Sequence, residues 1–155
     1  PDEIPLEKDI RNYIDYDVDF EKYKLTDNEM TLFFKENGKL FVKEATKLGY
    51  KEVEEFDTVN VEFPNSKTRR GRVGKKMAQT LTTHPRIAIY YNQKLRFLTA
   101  NEHFRLMGYD DTAYKRVKDS GITERQISSL AGNSICIPVL EEIFKKIISE
   151  WNLYE

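Results

Sequence analysis

The apolar positions in the last part of the chain fall into the clearest pattern. Val139, Leu140, Ile143, Phe144, Ile147, Ile148 and Trp151 recur at three- and four-residue spacing, with Glu141, Glu142, Lys145 and Lys146 mostly opposite them. This spacing predicts an amphipathic helix with a broad apolar face. Such a face must be covered, and cover by the chain's own sheet is the commoner arrangement. Three Ser/Thr-x-x-Glu/Gln boxes mark further helix starts: Thr26 with Glu29, Thr99 with Glu102, and Thr123 with Gln126. In each, the hydroxyl and the later side chain satisfy amides that the first turn of a helix leaves without partners. Helices are predicted over 27–36, 100–107 and 124–131, with a further short one near 6–14. The segments 39–44, 51–63 and 86–91 are richer in Val, Phe, Ile and Tyr with partial alternation, Ile87, Ile89 and Tyr91 sharing one face. They are expected to be strands of a small, mostly antiparallel sheet, which makes the fold class α+β.

Composition narrows the possibilities. The 155 residues fit one domain of ordinary size, and a hydrophobic share of 39% supports a modest core. The single thiol, Cys136, excludes an intramolecular disulfide and a cysteine-rich zinc site, and His84 and His103 lie too far apart in sequence to suggest a ligand cluster. No metal site is expected. No apolar run approaches the ~20 residues that span a bilayer. The start, Pro1-Asp2-Glu3, is acidic where a signal peptide is basic. A cytoplasmic chain with no membrane partner is the expectation.

Charge changes the picture more than composition does. Residues 1–62 carry 17 acids and 9 bases, a sum of −8, whereas 63–101 carry nine bases and no acid, +9. Six of those bases, Lys67, Arg69, Arg70, Arg72, Lys75 and Lys76, fall within ten residues, with Gly71 and Gly74 between them. Arginine forks onto phosphate oxygens or guanine edges, and glycine allows close backbone approach, so this stretch reads as a DNA-facing loop. A solvated loop that only aids solubility is the alternative.

A catalytic apparatus is missing. Cys136 sits among apolar neighbours with no cation beside it in sequence and reads as a structural thiol. His84 and His103 read as surface or packing residues, and Asp110-Asp111 as a loop or helix cap. No glycine-rich cofactor fingerprint or phosphate loop occurs.

Two segments carry a resemblance. Arg96-Phe97-Leu98-Thr99-Ala100-Asn101-Glu102-His103-Phe104-Arg105-Leu106-Met107-Gly108 resembles the ninth motif of DNA (cytosine-5) methyltransferases. Gln126 to Val139, with Ala131-Gly132-Asn133-Ser134-Ile135 and Pro138-Val139, resembles the tenth. Upstream, Leu6 to Leu25 looks like the segment that follows the eighth motif, and Arg69 to Thr83 like the end of a target-recognition domain. The chain departs from the pattern at Tyr109-Asp110, where Phe-Pro is frequent, and at Ser128-Ser129-Leu130, where Tyr-Lys-Gln is usual. The family's Phe-x-Gly-x-Gly, Pro-Cys, Glu-Asn-Val and Gln-Arg-x-Arg motifs are absent from these residues.

The resemblance implies the C-terminal part of such an enzyme, as a fragment or split subunit that is inactive alone. In the family, a cytosine is flipped out of the duplex, attacked at C6 by a cysteine thiolate and methylated at C5 from S-adenosylmethionine. Residues 1–95 would form the DNA-reading region. Residues 96–155 would complete an N-terminal catalytic domain or a separate catalytic subunit, with the last helix docked on it. Asn133 and Ser134 would border the S-adenosylmethionine site, at what is expected to be a helix start offering amides to a carboxylate. Arg69, Arg70, Arg72, Lys75, Lys76, Thr80 and Thr82 would contact double-stranded DNA. A stand-alone DNA-binding regulator is the alternative; a purely structural interaction domain would leave the acid-free stretch idle.

Overall fold

The computed structural model describes residues 9–151. Among these residues, two small antiparallel sheets and six α-helices make up a mixed α+β fold. In the first sheet, β1 (Phe33–Glu36), β2 (Lys39–Lys43) and β3 (Tyr50–Val53) follow one another. In the second, β4 (Thr58–Asn60), β5 (Arg72–Gly74), β6 (Ile87–Tyr91) and β7 (Lys94–Phe97) lie in the order β5-β4-β6-β7.

Two hairpins are fixed by their loops. Asn37 and Gly38 join β1 to β2 with φ of 50° and 75°, and Asn92 and Gln93 join β6 to β7 with φ of 51° and 59°. Left-handed backbone at both loop positions matches the right-handed twist of the paired strands. β6 is covered on both sides. Ala88 and Tyr90 face a core shared by the two sheets, with Leu40, Val42, Val53, Val59 and Leu95, while Ile87 and Ile89 face Ile10, Ile14 and Leu98. This double cover accounts for a strand that is almost continuously apolar.

The helices divide into short connectors and a C-terminal group. A single 3-10 turn, Ile10–Asn12, stands where the 6–14 helix is predicted; the rest of that prediction up to residue 8 lies outside the described residues. α1 (Phe20–Tyr23) and α2 (Asp27–Met30) are one turn each. The helix predicted over 27–36 is therefore corrected. Its capping box at Thr26 and Glu29 is present, but the helix ends at Met30 and residues 33–36 pair as β1. The expected strand over 51–63 is likewise two strands in different sheets, parted at Glu54–Asp57, where Phe56 takes φ of 67°.

α3 (Ala100–Leu106) and α5 (Glu124–Asn133) start at the expected boxes, and α4 (Asp111–Asp119) starts at Asp110, whose carboxylate accepts from the Ala113 amide at 2.7 Å. Ala100, Phe104, Ile127 and Ala131 form their core, with Leu81 packed beside it. α6 (Ile137–Trp151) closes the described chain, and none of its residues is buried.

The stretch Glu124–Trp151 is long and apolar enough by length and composition to cross a membrane, contrary to the expectation drawn from contiguous runs. It is nevertheless interrupted at 134–136, and α6 carries Glu141, Glu142, Lys145 and Lys146. Its apolar residues form a stripe, the pattern of a helix that lies against a protein surface.

Candidate nucleic-acid interface

The loop 61–69, the start of β5 and the return segment 78–82 enclose an open groove of about 640 Å³. It is lined by Asn60, Glu62, Phe63, Arg69, Arg72, Ala78, Gln79, Thr80 and Thr82. Four of the seven predicted DNA contacts, Arg69, Arg72, Thr80 and Thr82, are thereby brought together. Asn60 and Arg72 are cross-strand partners in the β4–β5 pair. Gln79 ties the far wall to the sheet: its amide donates to the Arg72 carbonyl at 2.7 Å, and its side-chain oxygen accepts from the Thr58 hydroxyl at 3.2 Å. The Arg69 guanidinium lies over the Phe63 ring, 5.5 Å from its centroid, an arrangement that leaves its in-plane donors for other acceptors. Arg70 is half-buried, with Nε buried and without an acceptor.

Lys75 and Lys76 stand apart from this groove at a rigid corner. The Lys75 ammonium donates to Asp57 at 2.7 Å and to Glu54 at 3.0 Å, and Asp57 is fully buried. Partial burial opposes the charge on Lys75, but the two carboxylates outweigh it and hold the pKa above the ordinary lysine value. Lys76 takes φ of 53°, gives its amide to Asp57 and accepts from the Ile10 amide at 2.8 Å. The Lys75 charge is thus already neutralised within the fold.

The glycines of the basic loop also differ from expectation. Gly71 and Gly74 are buried, and a Cβ on Gly71 would stand 1.9 Å from the Lys43 carbonyl. Gly71 lets β5 approach the first sheet, so its smallness serves packing within the chain. Gly132 acts similarly in the C-terminal group, where a Cβ would lie 1.9 Å from the Thr82 carbonyl. That contact seats α5 against the far wall of the groove.

The ninth-motif segment is an interlocked support. Arg96 makes a bidentate pair with fully buried Glu102, at 2.9 and 2.7 Å, and also donates to the carbonyls of Phe97 and Asp15. Glu102 accepts in turn from the amides of Thr99 and Asp15. With the four Nη donors of Arg96 matched, the buried pair is compensated. Arg105 grips Asp111 through two bonds and Asp15 through a third, which holds its pKa above the usual arginine value and that of Asp111 below the carboxylate range. Burial holds His103 down to about 4, and its Nδ1 pairs with the Ser128 hydroxyl at 3.0 Å. The departures from the family pattern are accommodated locally: Ser128 meets His103, Tyr109 packs on Phe104 with centroids 5.1 Å apart, and Asp110 caps α4.

Asn133 and Ser134 do not open a helix; they end α5, which corrects the expected helix-start geometry. Ser134 donates to the Ala131 carbonyl at 2.8 Å, while the Asn133 side chain is exposed. The start of α6 offers little to a carboxylate, because Ile137 gives its amide to the Met107 carbonyl and Pro138 has none. Among the described residues there is also no acid, histidine and cysteine cluster suited to a metal, and Cys136 is half-buried.

The sequence model of the C-5 cytosine-specific DNA methylase family matches residues 1–149, and the chain belongs to that family. The orphan methyltransferase M.SPRI of Bacillus phage SPR is 41% identical over 59 residues, covering 38% of this chain and 13% of the phage protein. The orphan methyltransferase M.SPBetaI of Bacillus phage SPbeta and the putative type II methyltransferase M.BsuMIIP of Bacillus subtilis (strain 168) are each 34% identical over 102 residues, covering 63% of this chain and 23% of each relative. The matched stretches span less than a quarter of these relatives' length.

Proposed function

We propose that this chain is the DNA-recognition and C-terminal segment of a DNA (cytosine-5) methyltransferase, and that it completes a catalytic domain carried on other polypeptide. The observation that carries this reading is the uncovered stripe of α6. Val139, Ile143, Phe144, Ile147, Ile148 and Trp151 are each 47–70% exposed along one helix. A stand-alone DNA-binding regulator has no use for such a stripe, and a catalytic domain that buries it does.

Residues 1–95 read DNA in this proposal, and residues 96–155 form the brace and the docking helix. Arg70 and Lys76 hold phosphates, while Arg69, Arg72, Thr80 and Thr82 face the duplex from the groove. Asn133 and Ser134 supply only an edge to the S-adenosylmethionine site of the partner domain. When bound there, that cofactor supplies the methyl group for C5 of cytosine. The bacterial and phage relatives support a cytoplasmic setting in a restriction-modification or orphan methylation system.

Mixing the 155-residue chain with a separately expressed catalytic domain tests the proposal. Neither alone is expected to methylate DNA, and the mixture is expected to transfer methyl groups to cytosine. An inactive mixture of two folded, associated parts would contradict it. For the DNA-facing part, Arg70→Ala and Lys76→Ala should each reduce the log–log salt slope of binding by about 0.9, the change for one lost phosphate contact.

A further inference from the structure

Glu62 precedes the acid-free stretch 63–101 by one position, yet it lines the same groove as Arg69 and Arg72. Four other arginines have carboxylate partners: Arg11 with Asp9, Arg86 with Glu29, Arg96 with Glu102, and Arg105 with Asp15 and Asp111. The groove is different. Among the described residues, neither Arg69 nor Arg72 has a carboxylate within ion-pair distance. Glu62 receives one long bond, 3.5 Å from the Thr82 hydroxyl. Both signs of charge face one opening without neutralising each other.

A site shaped for phosphate alone is weakened by a carboxylate, since two like charges in contact repel even in water. A base-pair edge needs both signs. In the major groove, guanine presents two acceptors, O6 and N7, which suit an arginine fork, and cytosine presents the N4 amine, which suits a carboxylate. The backbone places these two groups together. Arg72 pairs with Asn60 across β4–β5, and Glu62 lies two residues beyond Asn60, whose side-chain oxygen accepts from the Glu62 amide at 2.9 Å.

We propose that Glu62 and Arg72 form a reader for a G·C base pair, with Arg72 donating to guanine O6 and N7 and Glu62 accepting from the cytosine amine. The inference rests on the DNA-binding role proposed above. It adds the base pair selected and the residue that disfavours phosphate in this part of the groove.

The test selects duplexes with a randomised centre on the 155-residue chain at low salt, then measures affinity and salt slope on the enriched and substituted duplexes. Glu62→Met keeps the length of the side chain but removes the acceptor oxygens, and its melting curve checks the fold. The wild-type chain is expected to favour G·C at one position by about tenfold, within the range of one good base contact. Glu62→Met should cut that preference to about twofold or less, with affinity for the other duplexes equal or higher and the salt slope unchanged. A preference that survives Glu62→Met would overturn the inference, as would the absence of any G·C preference in wild type. So would Arg72→Ala lowering the salt slope by about 0.9 while base preference persists, because Arg72 would then be a phosphate contact. Failure of the wild-type chain to bind any duplex would instead overturn the DNA-binding role, and this inference with it.

Discussion

α3 and α6 are both helices expected from the sequence, and the fold treats them in opposite ways. In α3, seven residues long, Ala100, Glu102, His103 and Phe104 are all buried, and the helix is pinned by the Arg96–Glu102 pair and its capping box. α6 is fifteen residues long, has the longer apolar stripe and buries none of its side chains. A helical period states that a face needs cover; it does not state which polypeptide provides it. The contrast separates a part of this chain that buries its own face from a helix that the described residues leave uncovered.

The largest expected effect falls on the part that buries its own face. Glu102→Ala strands the Arg96 guanidinium, which is only 6% exposed, and removes the acceptor for the Thr99 and Asp15 amides. A loss of about 3–5 kcal/mol in urea unfolding is expected. Acid should act on the same region through His103. Its folded pKa is about 4 against an ordinary 6.5, so between these values the unfolded chain binds a proton that the folded chain does not. The stabilising contribution is therefore complete above pH 6.5 and is lost as pH falls toward 4, amounting to about 3 kcal/mol. Chemical unfolding at stepped pH checks this, and His103→Gln should flatten the dependence within that window. The smallest stability effect belongs to α6. Phe144→Ser and Ile147→Ser should each shift unfolding by no more than about 0.5 kcal/mol, because both side chains are already exposed, while abolishing complementation of a catalytic domain.

Helix starts were legible and helix lengths less so. All three capping boxes form, because they depend on side chains three residues apart. At Thr26 the box is followed within one turn by chain committed to β1, and the signal for that commitment is Asn37-Gly38, a strong two-residue hairpin sequence. The division of 51–63 into β3 and β4 depends on Asp57, buried and bonded to Lys75 and Lys76 far along the chain, and no local pattern contains that pairing.

The basic residues of the groove stood out in the sequence, but their arrangement did not. The acid-free stretch marked the loop, and Arg69, Arg72, Thr80 and Thr82 meet in one groove. Lys75 turns to an internal acid, and Gly71 fits beneath the Lys43 carbonyl. Glu62 escaped notice because it stands just outside the basic block, and it joins the groove only once β4 and β5 pair. The apolar stripe of α6 was evident from spacing, but its lack of internal cover emerges only from the fold.

Trp151 offers the most direct measurement of whether α6 awaits a partner. It is the only tryptophan in the chain, lies on α6 and is 70% exposed. Its emission should be that of a water-exposed indole in the isolated chain, then shift to shorter wavelength on titration with a tryptophan-free catalytic domain, saturating at the same ratio at which methyl transfer appears. Emission that is already shifted in the monomeric chain, or that stays unchanged while methyl transfer is fully restored, would contradict the docking of α6.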